Sequence, residues 1–163
     1  MRKKTSELPA YQQALGLLVR REHSRRELKQ KLRLRGKENE EIDVALETLS
    51  WQDFQNDERF AMALARSRQA AGYGPVRIRA EMAQHSLGAE LITQAIQALS
   101  GDWLETAQGL IQRRYRQKIK ADASQARKAV DFLLRRGFDQ KTAYQAVKVS
   151  ECTKDVDFLD ESP

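Results

Sequence analysis

Apolar residues return at helical spacing along nearly the whole chain. The pattern starts near Tyr11 and runs through Ala14, Leu15, Leu18 and Val19. Ser24-Arg25-Arg26-Glu27 then has the spacing of a capping box ahead of Leu28 and Leu32. Gly36 is placed to end that second helix. A third carries Ile42, Ala45, Leu46 and Leu49 at i, i+3, i+4 and i+7. Asn56-Asp57-Glu58 opens a fourth, where carboxylates suit the positive end of the helix dipole. Phe60, Ala61, Leu64 and Ala65 form its apolar face, and Gly72 stops it. Gly74 and Pro75 read as the N-cap and first position of a fifth helix reaching about His85. A sixth spans roughly Ala89 to Leu99. Asp102-Trp103-Leu104-Glu105 starts a seventh, which continues through Ala107, Leu110 and Ile111 to Arg113, Arg114 and Tyr115. Ser124 to Arg136 and Gln140 to Val149 fit two more, with Gly137 between them. No stretch alternates apolar and polar residues with β-branched enrichment, so no strand is predicted.

Three blocks of this pattern superimpose. Leu28, Ile78 and Ala129 correspond, as do Leu32, Met82 and Leu133. Gly36, Ser86 and Gly137 share the junction after the second helix of each block. Ile42, Ile92 and Ala143 follow, then Ala45, Ala95 and Ala146, then Leu46, Ile96 and Val147. The offsets are 50 and 51 residues with no gap inside the matched block. A period of about 50 residues means three helices per repeat. The expectation is an all-α fold, a short curved solenoid of three tandem three-helix repeats. Its divisions are a flexible basic N-terminus over 1–8, repeats over 9–50, 51–100 and 101–150, and an acidic tail over 151–163.

Charge sharpens this picture. The chain of 163 residues is 40% apolar, 32% charged and 7% aromatic, with a net charge of +6. Five of its acids and one base lie between Glu151 and Pro163, so the body without that tail carries +10. From Arg20 to Arg35 there are eight bases and two acids, and from Glu38 to Glu47 five acids and no base. The first and second helices of the repeats supply Arg25, Arg26, Arg66, Arg68, Arg77, Arg79, Arg113, Arg114, Arg116, Lys118, Arg127, Lys128, Arg135 and Arg136. Bases on corresponding helices would line one basic ridge, suited to a polyanion or an acidic partner. Arg77 and Arg79 flank the apolar Ile78 and project away from the face that Ile78 shares with Met82.

Little in the chain suggests covalent chemistry. Gly36-Lys37 is followed by Glu38 and lacks the first glycine of a phosphate-binding loop. Gly72-Tyr73-Gly74 leaves a helix rather than a strand and lacks the third glycine of a dinucleotide site. His23, His85 and Cys152 are scattered without ligand spacing, so no metal, cofactor or catalytic residue is assigned, and the chain does not read as an enzyme. Both histidines lie beside helix ends and read as surface residues. Trp51 and Trp103 read as packing residues at repeat junctions. Tyr73 and Tyr115 flank bases and serve equally well as partner contacts or as structure. One cysteine excludes an internal disulfide framework and fits a reducing cytoplasm. No apolar run approaches membrane-spanning length, and Met1-Arg2-Lys3-Lys4 precedes no signal-type apolar core. Nothing demands a dimer, so a monomer is expected.

The stretch Arg68-Gln69-Ala70-Ala71-Gly72-Tyr73-Gly74-Pro75-Val76-Arg77-Ile78-Arg79-Ala80-Glu81-Met82 resembles the central motif of the RecX family, regulators of the RecA recombinase. His23-Ser24-Arg25-Arg26-Glu27-Leu28-Lys29-Gln30-Lys31-Leu32 resembles that family's first-repeat motif, and Asn56-Asp57-Glu58-Arg59-Phe60-Ala61 its Asp-x-x-Phe/Ala start. Phe132-Leu133-Leu134-Arg135-Arg136-Gly137-Phe138 resembles its last-repeat ending. The likeness spans roughly residues 11–149. Two departures stand out. Asp53-Phe54-Gln55 stands where the family usually has Gly-Tyr/Phe-Leu, and Met82 replaces a usual Leu.

The resemblance implies three-helix repeats lying in the groove of a RecA–DNA filament. It implies a negative regulator of filament extension, ATP hydrolysis, strand exchange and co-protease action, and so a role in homologous recombination, DNA repair and the SOS response. It also implies some binding of single-stranded, and by extension double-stranded, DNA. The contact residues would be Arg25, Arg26, Arg66, Arg68, Tyr73, Arg77, Arg79, Arg113, Arg114, Arg135 and Arg136. The residues alone leave two alternatives open: a direct, largely sequence-independent nucleic-acid binder, and a helical scaffold for another acidic protein.

Overall fold

The computed structural model describes residues 8–99, 101–121 and 123–152. Among these the regular structure is entirely helical. The order is α1 (Ala10–Leu18), α2 (Arg25–Leu34), α3 (Asn39–Trp51), α4 (Asp57–Ala70), α5 (Pro75–Gln84), α6 (Ala89–Gln97), α7 (Trp103–Ala121), α8 (Ala123–Arg135) and α9 (Gln140–Cys152). The helices group as three consecutive sets of three, an all-α repeat fold. The basic N-terminal segment before Leu8 and the acidic tail beyond Cys152 lie outside the described residues, as do the side chains of Arg116 and Lys118.

The helix ends follow from short-range chemistry. Ser24 Oγ accepts a hydrogen bond from the Glu27 N–H at 3.1 Å, which caps α2. The reciprocal half of the capping box is not made. The Glu27 carboxylate is instead held by the Arg21 guanidinium and lies beside His23. At the far end of α2, Gly36 N–H donates to Arg33 O at 2.9 Å and Lys37 N–H to Leu32 O at 3.1 Å. That is the paired Schellman closure of a helix whose next residue is left-handed. The three junction positions matched in the sequence share this backbone: Gly36 at φ 79°, Ser86 at 60° and Gly137 at 86°.

The chain forms two compact units. One takes in residues 8–64 and 81–95, the other residues 65–80 and 96–152. In the first, α1, α2 and α3 pack on one another around Ala14, Leu28, Leu32, Ile42, Leu46 and Leu49, all fully buried. Each leucine or isoleucine side chain removed from water there contributes about 1.5–3 kcal/mol. In the second, α7, α8 and α9 pack around Ala107, Ile111, Ala129, Leu133, Ala143 and Ala146. The middle repeat supplies residues to both units; its Ala61, Ala65, Ile78 and Met82 are all fully buried.

Two readings of single residues need correction. Trp51 is not a packing residue: it is 86% exposed, and Val44, seven residues earlier, is 66% exposed. The apolar stripe of α3 is Ile42, Ala45, Leu46 and Leu49, and two residues past Leu49 the helix has turned Trp51 onto the Val44 face. Trp103 does pack, edge-on to Phe138 with ring centroids 6.4 Å apart. His23 is not a surface residue, being only 3% exposed. Its Nδ1 lies 3.0 Å from Glu27 Oε2, without the alignment of a hydrogen bond.

The departure at Asp53-Phe54-Gln55 also has a structural account. Asp53 takes the left-handed conformation, φ 56°, that the usual glycine would adopt freely. Its carboxylate accepts from Asn56 Nδ2 at 3.1 Å and pairs with the Arg59 guanidinium at 2.8 Å. Gln55 is buried and donates to Asp57 Oδ1 at 2.8 Å.

Candidate functional site

In the second unit, two turns meet backbone to backbone. The turn after α4 closes with Gly72 N–H to Gln69 O at 2.9 Å and Tyr73 N–H to Arg68 O at 3.0 Å. The turn after α8 closes the same way, with Gly137 N–H to Leu134 O at 2.9 Å and Phe138 N–H to Leu133 O at 3.1 Å. Gly74 N–H then donates to Arg136 O at 2.9 Å, and Val76 N–H to Gly137 O at 3.0 Å. Val76 N–H is one of the donors left without an intrahelical partner at the start of α5, and the α8–α9 turn satisfies it. Only glycines permit this approach. A Cβ on Gly74 would lie 2.3 Å from Gly137 O, and one on Gly137 would lie 2.3 Å from Arg77 Cβ.

This docking sets Tyr73 among arginines. Arg77 Cζ lies 4.4 Å from the centre of the Tyr73 ring and Arg136 Cζ 5.2 Å from it. Arg136 is also 5.2 Å from the Phe132 ring, and Arg114 is 4.9 Å from that ring and 5.9 Å from Tyr115. A continuous run of cation–ring contacts therefore goes Arg77, Tyr73, Arg136, Phe132, Arg114. Each contributes about 0.5–1 kcal/mol at a partly exposed site. Arg136 is held further by donating from Nη1 to Ala71 O at 2.8 Å, where it caps the carbonyl end of α4. Among the described residues, Arg77, Arg114 and Arg136 form no ion pair with a carboxylate. A guanidinium stacked on a ring keeps its edge N–H donors, in a planar fork matched to carboxylate or phosphate.

Arg113 and Arg135 are exposed on α7 and α8 of the same unit, and Arg66 on α4. Arg68 is half-buried and Arg79 exposed, and both are engaged with other groups. Tyr115 is only 9% exposed and packs against Phe132 with ring centroids 5.7 Å apart, so its role is structural. Phe132 belongs to the site and was not singled out in the sequence. It packs in the core of the second unit while offering a ring to two arginines.

The first unit places Arg25 and Arg26 elsewhere, at the start of α2. Arg25 N–H donates to Asp57 Oδ1 at 2.9 Å, and Arg26 Nη1 donates to Ser86 Oγ at 2.6 Å. Lys29 pairs with Asp43, and Arg33 Nε donates to Asn39 Oδ1 at 2.8 Å. His85 stacks on Phe60 at 4.7 Å and shares a 2.8 Å hydrogen bond with Ser24 Oγ. Ser24 Oγ, which also accepts from Glu27 N–H, thus ties the start of α2 to His85. Nearby, burial holds the His23 imidazole below its ordinary range, with the Glu27 carboxylate offsetting part of the effect. Burial pushes Glu27 up, but Arg21 and His23 together outweigh it and hold that carboxyl below its ordinary value.

Among the described residues no group of three or more His, Cys, Asp or Glu could hold a metal ion, and no helix is long and apolar enough to cross a membrane. The fold and site thus define a class: a protein of tandem three-helix repeats that displays arginines stacked on aromatic rings. Models of the first, second and third three-helix domains of RecX match residues 10–49, 56–96 and 101–147. The chain is 47% identical over 137 residues to a regulatory protein RecX of Xanthomonas oryzae pv. oryzae (strain MAFF 311018), covering 84% of this chain and 86% of that protein. It is equally similar to one from Stenotrophomonas maltophilia (strain R551-3), covering 84% of each. The crystal structure of RecX from Lactobacillus salivarius superposes with a TM-score of 0.75 at 18% identity, covering 88% of this chain and 95% of that one. Another RecX crystal structure gives 0.71 at 23% identity, covering 86% and 70%. The chain belongs to the RecX family of regulatory proteins.

Proposed function

We propose that this protein binds the RecA–DNA nucleoprotein filament and inhibits its extension, ATP hydrolysis, strand exchange and co-protease activity. It would act as a cytoplasmic monomer, as a negative regulator in recombination, DNA repair and the SOS response. Its repeats would follow the boundaries 9–50, 51–100 and 101–150. The observation that carries this reading is the row Arg77, Tyr73, Arg136, Phe132, Arg114 in a member of a regulatory family. Three guanidiniums are oriented by rings and turns and, among the described residues, carry no carboxylate partner, which prepares them for acidic side chains or phosphates of a partner. Arg66, Arg113 and Arg135 extend the same charge on neighbouring helices, and Arg25, Arg26, Arg68 and Arg79 complete the set of contacts.

The test is RecA's ATP hydrolysis on single-stranded DNA with this protein added well below RecA's concentration. Strong inhibition is expected, and Arg77→Glu should weaken it while leaving the far-UV circular dichroism unchanged. No inhibition at any ratio would refute the reading. Normal inhibition by the folded Arg77→Glu protein would remove the arginine row from it.

A further inference from the structure

We propose that the acidic segment after Cys152 folds back along the outer face of α9 and covers the arginine row, so that the chain carries its own competitor for that surface. The fold-back is independent of the filament reading, and the competition rests on it.

The outer face of α9 is exposed, basic and partly apolar. Lys141, Tyr144, Gln145 and Lys148 stand at i, i+3, i+4 and i+7, opposite the stripe of Ala143, Ala146 and Val147 that packs into the second unit. Tyr144 is 56% exposed. Residues 140–149 contain no Asp or Glu, so nothing acidic on the helix itself answers the two lysines. Asp139, at the start of the helix, is engaged in capping it, accepting from Thr142 N–H at 2.9 Å and from Thr142 Oγ1 at 2.7 Å.

Such a face suits a segment that mixes carboxylates with apolar side chains. Residues 153–163 have that composition: Asp155, Asp157, Asp160 and Glu161 stand among Val156, Phe158 and Leu159, with Lys154 as the one base. The segment departs from the end of α9 at Cys152. There the helix dipole is negative and repels carboxylates, while Lys148, one turn back, attracts them. Length fits as well. The 13 residues of α9 span about 20 Å. The segment, fully extended, reaches about 36 Å. It can therefore pass Lys148 and Lys141 and place Asp160 or Glu161 at the α8–α9 turn. Arg136 sits at that turn, with Arg77 across the Tyr73 ring from it. Among the described residues neither guanidinium pairs with a carboxylate. Ion pairs at exposed positions are individually weak, but a short tether holds its charges at about millimolar effective concentration. A single acidic side chain of a partner would not displace the segment, whereas an array of carboxylates or phosphates would.

The test uses the dilute full chain. A water-soluble carbodiimide condenses a carboxylate with a lysine amine in direct contact, releasing water, and mass spectrometry of the monomer fraction maps the links. Links from Asp155 or Asp157 to Lys148 and from Asp160 or Glu161 to Lys141 are expected, fading as salt rises. In RecA's ATP hydrolysis on single-stranded DNA, a full chain carrying Asp155→Asn, Asp157→Asn, Asp160→Asn and Glu161→Gln should inhibit at about threefold to tenfold lower concentration than wild type, the worth of two or three surface ion pairs. Absence of the links, or their confinement to a dimer fraction, would overturn the fold-back. Links in the monomer with equal inhibition by both proteins would overturn the competition. A wild-type chain that leaves RecA uninhibited refutes the filament reading alone, and the links still decide the fold-back.

Discussion

Replacing Gly74 by alanine tests the junction that builds the arginine row. The added Cβ would meet Gly137 O at 2.3 Å, Gly137 C at 2.4 Å and Phe138 N at 2.5 Å, all backbone atoms. No rotamer change relieves a clash with backbone, so the two turns must separate by about 1 Å or more to restore ordinary contact. Separation breaks the Gly74-to-Arg136 and Val76-to-Gly137 hydrogen bonds, worth roughly 1 kcal/mol each, and loosens the Arg136 contacts to Ala71 O and Tyr73. With the strain of overpacking, the second unit should lose about 3 kcal/mol. At an ordinary urea dependence this moves its midpoint down by roughly 1–3 M. Trp103 packs on Phe138, next to the affected turn, so its fluorescence in a Trp51→Phe background reports that unit. Gly109→Ala is the control. It lies in α7 of the same unit with nothing within 4 Å of an added Cβ, and should stabilise by roughly 1 kcal/mol. A Gly74→Ala protein that unfolds at the wild-type midpoint, while Gly109→Ala shifts upward, would refute the close backbone approach.

Two further outcomes follow from burial. Trp51→Ala should change stability by no more than about 0.5 kcal/mol, because the side chain is 86% exposed. Iodide should quench Trp51 well before Trp103, and equal quenching would contradict the orientation of α3. Lowering the pH should destabilise the first unit in two stages of the same sign. His23 is held below its ordinary value of 6.5, so the unfolded chain takes up its proton first and stability falls from about pH 6.5 downward. Glu27 is held below its ordinary 4.5, so its contribution is present above that value and is lost as the pH falls beneath it. Urea midpoints between pH 7.5 and 5.5 check the first stage. His23→Gln should flatten it, and an unchanged slope in that variant would assign the loss to another group.

Much of the architecture could be read from the order of residues. The helices, their stops and the threefold repeat are local matters. A stripe at i, i+3, i+4 and i+7 has one way to bury itself, and a left-handed stop calls for glycine wherever it falls. Thus Leu28, Ile78 and Ala129 could be matched as core, and all three are fully buried. Size alone misplaces Trp51, because a large aromatic reads as core although this one lies off the stripe. It misplaced His23 because a helix-flanking position says nothing of what covers it.

Charge could be counted from the sequence but not distributed. The arginines read as one ridge of equals, yet tertiary contacts divide them. Arg136 and Arg77 are 59 positions apart in the chain, and Gly74 and Gly137 bring them to one tyrosine. Arg26 reaches Ser86, 60 residues away, a contact that no local spacing announces. The helices, the repeat and the net positive charge follow from periodicity and composition, so the order of residues is enough to fix them. Which cations stack on rings and which are neutralised is set instead by backbone approaches between segments far apart in the chain.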